Sequence, residues 1–72
     1  MPDKISHEQI CKSIYDYFME LDTDVHVSPG IVRVLTGCLN TTTVVGFMRA
    51  MYDMQEKGIL SSDEEGEFYL RQ

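Results

Sequence analysis

At 72 residues, the chain has room for one small hydrophobic core and none for a second domain, so a large enzyme is excluded by length. Apolar residues make up 43% of it, which argues for a globular domain rather than disorder, and the two cysteines, Cys11 and Cys38, are too few for a disulfide framework. A net charge of −6 excludes a uniformly basic nucleic-acid glove.

The first helix is expected over about residues 6–21. Ser6 and Gln9 have the spacing of a capping box, and Ile5 and Ile10 that of the accompanying hydrophobic staple. Ile10, Ile14, Tyr17, Phe18 and Leu21 then form one apolar stripe at helical spacing. A turn over residues 21–24 leads to a short extended segment, Val25-His26-Val27.

Ser28-Pro29 opens a second helix over about residues 29–36. Proline suits the first helical position, and Ile31, Val34 and Leu35 are expected to form the buried face. Gly37 ends this helix after two turns. A third helix is expected over about residues 41–57, capped by Asn40 or Thr41, with Val44, Phe47, Met48, Met51 and Met54 inward. Gly46 costs helix propensity, and its expected reason is close packing against the second helix, with close backbone approach to DNA or a partner helix as the alternative. Gly58 stops the third helix. Two strands follow, Ile59 to Ser61 and Glu67 to Leu70, joined through a polar loop that ends in Gly66.

This order makes an α+β domain of three helices, a short strand and a C-terminal β-hairpin, spanning residues 1–72. On Ser28-Pro29, Leu39-Asn40-Thr41-Thr42-Thr43-Val44 and Glu56-Lys57-Gly58-Ile59-Leu60, the chain resembles the winged helix-turn-helix family of small bacterial and phage regulators. The likeness runs from about Ile5 to about Arg71, with the wing at about residues 59–71. It implies a DNA-binding transcriptional regulator that uses its third helix for recognition. One departure is visible. Leu39 to Gly58 spans about one helical turn more than the family's usual spacing, so either the third helix is longer or its cap lies nearer Thr43.

Charge is unevenly distributed. Residues 1–24 and 53–72 each hold six acids and two bases, whereas residues 25–52 hold Arg33 and Arg49 and no acid. An acid-free window over the second and third helices suits approach to phosphate. The candidate contacts to double-stranded DNA are Asn40, Thr41, Thr42, Thr43, Arg49 and Arg33.

Asp63, Glu64, Glu65 and Glu67 crowd the wing and oppose phosphate. They are the candidate docking residues for the alternative reading, an acidic protein-interaction module of inhibitor or anti-repressor type that binds a basic protein. Apolar residues in excess of one small core would suit a homodimer.

No nucleophile motif, phosphate loop or metal-spaced ligand set is present, so neither an enzyme nor a cofactor is expected. His7 and His26 read as isolated, and Cys11 and Cys38 as reduced thiols without neighbouring ligands. The start, Met1-Pro2-Asp3-Lys4, has no secretory pattern, and no apolar run approaches the ~20 residues of a membrane span. The expectation is a soluble cytoplasmic protein without contact to membranes.

Overall fold

The computed structural model describes residues 4–22 and 25–71. Thr23 and Asp24 of the expected 21–24 turn lie outside the described residues, as do residues 1–3 and 72 of the expected domain. The architecture is α+β: three helices followed by a two-stranded antiparallel hairpin.

Helix α1 spans His7–Met19. Both halves of its capping box form, since the Ser6 hydroxyl accepts from the Gln9 amide at 3.2 Å and the Gln9 side chain accepts from the Ser6 amide at 3.1 Å. Ile10, Ile14 and Phe18 are the fully buried part of its stripe. The helix ends before the expected Leu21. The amides of Glu20 and Leu21 bond three residues back, to Tyr17 and Phe18, and that tighter turn brings half-buried Leu21 against the core.

Helix α2, Pro29–Leu35, follows Ser28 and Pro29 as expected, although the Ser28 side chain makes no capping bond. Its buried face is not the expected one. Val32 is the residue in the core, while Ile31, Val34 and Leu35 are exposed. Apolar residues lie on all sides of this seven-residue helix, so periodicity does not select a face, and packing through Val32 does.

Gly37, at φ 76°, closes α2 with a Schellman pair: its amide donates to Val34 and that of Cys38 to Arg33. Helix α3, Val44–Glu56, ends the same way at Gly58, whose amide donates to Gln55 while that of Ile59 donates to Met54.

The start of α3 corrects the expected boundary. The cap is Thr43, whose hydroxyl accepts from the Gly46 amide at 3.0 Å, and neither Asn40 nor Thr41 fills that role. The additional turn of sequence is spent in the loop before the helix. Phe47, Ala50, Met51 and Met54 are buried, but Val44 is exposed and Met48 only half-buried. Gly46 does not abut α2. A β-carbon there would meet Thr43 Oγ1 at 3.0 Å and no atom of α2 within 4 Å, so its neighbour is the cap.

Strands β1, Leu60–Ser62, and β2, Phe68–Leu70, pair in the register Leu60 to Leu70, Ser61 to Tyr69 and Ser62 to Phe68. Val27 adds a bridge on the far side of β2, exchanging both backbone hydrogen bonds with Phe68 at 2.9 and 2.8 Å. The expected extended segment at Val25–Val27 thus becomes a third, single-residue rung. Leu60, Phe68 and Val27 close one side of a core that α1 and α3 complete with Ile14, Phe18, Phe47 and Met51. Among the described residues no helix is long and apolar enough to cross a membrane.

Candidate functional site

Helix α3 carries two apolar stripes. Phe47, Ala50, Met51 and Met54 face the core, and the opposite side presents Val44, Val45, Met48 and Tyr52 at helical spacing. Val45 is 70% exposed and Tyr52 57%. These side chains, with Arg49, Asp53 and Glu56, line an open groove of about 560 Å³. A spacing signal for this face was present in Val44, Met48 and Tyr52, which recur every four residues; the expected inward stripe had assigned Val44 and Met48 to the core and left the apolar excess without a face.

The six candidate DNA contacts do not form one surface. Arg49 is exposed on the groove and has no ion-pair partner among the described residues. Asn40 is exposed and Thr41 half-buried, its carbonyl accepting from the Ile5 amide. The hydroxyl of Thr43 is engaged in its cap.

Thr42 corrects the expectation of a DNA contact, because it is not on the surface. It is 4% exposed, and its hydroxyl donates to the Cys38 carbonyl at 2.6 Å while accepting from Arg33 Nε at 3.1 Å. Arg33 is committed to the same turn, with Nη2 donating to the carbonyls of Leu39 and Thr42 at 3.0 and 2.8 Å. Both residues therefore build the loop that sets α3 against α2.

The wing acids also divide. Asp63 organises the hairpin loop: Oδ1 accepts from the amides of Glu65 and Glu67, each at 2.9 Å, and Oδ2 meets His26 Nδ1 at 2.7 Å. The bond from His26, followed by those from the backbone, lowers the Asp63 carboxyl below its ordinary value. The His26 ring in turn stacks on Tyr69 with centroids 4.1 Å apart, so this histidine is not isolated. Glu64 and Glu65 are exposed and Glu67 half-buried.

A second cluster joins α1 to α3, and it corrects the readings of His7 as isolated and of Cys11 as a thiol without neighbouring ligands. His7 and Cys11 stand one helical turn apart on α1, with Cys11 Sγ 3.7 Å from His7 Nε2. Asp53 of α3 brings Oδ2 to 3.1 Å from the same nitrogen, and Lys57 Nζ lies 3.4 Å from that oxygen. Bonding from His7 is the main cause that lowers the Asp53 carboxyl. Burial, reinforced by the charge of Asp53, raises the Cys11 thiol, which is the opposite of what an activated nucleophile needs.

No family model, curated protein or solved structure matches the chain.

Proposed function

We propose that this chain is a winged-helix protein-interaction module that uses the outer face of α3 to dock a partner helix. The observation that carries the reading is the apolar groove of Val44, Val45, Met48 and Tyr52, on the face where a DNA-reading helix would present polar side chains. The Val27 rung and the hairpin after α3 support the winged-helix architecture.

The occupant is an amphipathic helix whose apolar face is flanked by basic side chains. Asp53 and Glu56 line the groove, Glu64 and Glu65 project from the wing, and the net charge of −6 attracts such a segment over distance. A second reading, a DNA-binding regulator, is favoured by Arg49, which has no ion-pair partner among the described residues and stands within the acid-free stretch of residues 25–52.

Binding of a short Leu/Lys amphipathic helical peptide and of random duplex DNA, each across a salt series, tests both. Docking predicts peptide binding that salt weakens and that Val45→Glu with Tyr52→Glu reduces at least ~10-fold. Glu64→Lys with Glu65→Lys should slow peptide association, whereas under the DNA reading the same pair tightens DNA binding. DNA binding that falls with Arg49→Ala, without peptide binding, overturns docking in favour of the second reading. Sedimentation of the free chain at the same concentrations shows whether a second copy occupies the groove instead.

A further inference from the structure

We infer that His7, Cys11 and Asp53 form a zinc(II) site that clips α1 to α3. The three donor atoms, Nε2, Sγ and a carboxylate oxygen, all lie within 4.8 Å of one another. Two of the separations, 3.7 Å for sulfur to nitrogen and 3.1 Å for nitrogen to oxygen, are close to tetrahedral edges. Metal–ligand lengths of about 2.3 Å to sulfur and about 2.0–2.1 Å to nitrogen and oxygen give edges of about 3.6 and about 3.3 Å. The donors are therefore already within a few tenths of an ångström of a coordinating arrangement along these two edges.

The donor set selects the metal. A thiolate, an imidazole and a carboxylate together suit zinc, whereas calcium and magnesium take all-oxygen shells. On binding, the Cys11 thiol loses its proton to solvent and a sulfur–zinc bond replaces the sulfur–hydrogen bond. The His7 ring passes to the tautomer protonated at Nδ1, so a nitrogen–zinc bond replaces the Nε2–H bond to Asp53. Lys57, exposed and flexible, swings away from the carboxylate it now faces. Three protein ligands leave a fourth tetrahedral position for water. Among the described residues the other convergent group, His26, Asp63 and Glu67, has no sulfur, and both Asp63 oxygens are already engaged.

Asp53 also lines the α3 groove, so the clip sits at the rim of the proposed docking surface. The inference does not depend on that docking, because it is tested without any partner.

The test is a titration of the reduced chain with cobalt(II), followed by displacement with zinc. The expected result is one equivalent of cobalt with a thiolate-to-cobalt charge-transfer band that zinc abolishes. Cys11→Ser should lack the band, and His7→Gln and Asp53→Asn should each weaken cobalt binding at least ~10-fold. Zinc should raise the melting temperature of the unsubstituted chain and of His26→Asn, but not of Cys11→Ser. Far-ultraviolet circular dichroism of each metal-free variant establishes that it is folded. If Cys11→Ser is unfolded, the His7→Gln and Asp53→Asn titrations decide. Absence of the charge-transfer band, a band insensitive to His7→Gln, or zinc stabilisation abolished by His26→Asn overturns the assignment.

Discussion

Arg33 on α2 holds Thr42 at two points, through Nε to the hydroxyl at 3.1 Å and through Nη2 to the carbonyl at 2.8 Å. Thr42 passes the connection on to Cys38, and the turn between α2 and α3 is closed from inside. A guanidinium is suited to this because its donors are fixed in one plane, a geometry that a lysine ammonium does not reproduce. Arg33→Ala should cost about 1.5–3 kcal/mol, the range for hydrogen bonds from a charged donor. Arg33→Lys should recover little of it. Urea unfolding checks this, and an unchanged midpoint for Arg33→Lys would contradict the clamp.

The position of the α3 cap is testable in the same way. Thr43→Ala should cost about 1 kcal/mol, because the Gly46 amide then loses its acceptor. Asn40→Ala should fall within about 0.5 kcal/mol of the unsubstituted chain, since its side chain makes no hydrogen bond among the described residues. The reverse ranking would return the cap to the earlier position.

Substitutions on α2 separate its two faces. Val32→Ala removes buried methyl groups and should cost ~2 kcal/mol from transfer and cavity together. Leu35→Ser, on a side chain 61% exposed, should shift the urea midpoint by no more than about 0.5 kcal/mol equivalent. A larger loss at Leu35 than at Val32 would mean that the helix is rotated from the arrangement described.

Acid should loosen the hairpin through Asp63. Its carboxyl is lowered in the folded state, first by His26 and then by the loop amides. The stabilisation it contributes is therefore complete above the unfolded value of about 3.9 and is lost as pH falls through the folded value beneath it. Asp63→Asn retains an oxygen for the loop amides but cannot ionise. Below about pH 4 its stability should fall less steeply than that of the unsubstituted chain. Parallel urea midpoints across that range check the difference in slope; identical slopes would show that the His26 contact does not favour the charged carboxylate.

The sequence by itself determined the α+β class, the element order and the glycine stops at Gly37 and Gly58. These signals are local: a capping box within four residues, an apolar period along α1, and left-handed positions that only glycine occupies cheaply. Local signals also placed His7 and Cys11 on one face of α1, one turn apart, although their isolation was the expected reading. Only the tertiary structure decided the α3 cap, because Asn40, Thr41 and Thr43 are all competent caps and the choice follows from Arg33 reaching across to Thr42. It alone turned Val32 inward on a helix that is apolar all round. It also exposed the second stripe of α3 and carried Asp53, 46 residues from His7, to the histidine's ring. A periodic pattern states which residues share a face, whereas the face that is buried and the distant side chain that meets it depend on how the helices pack.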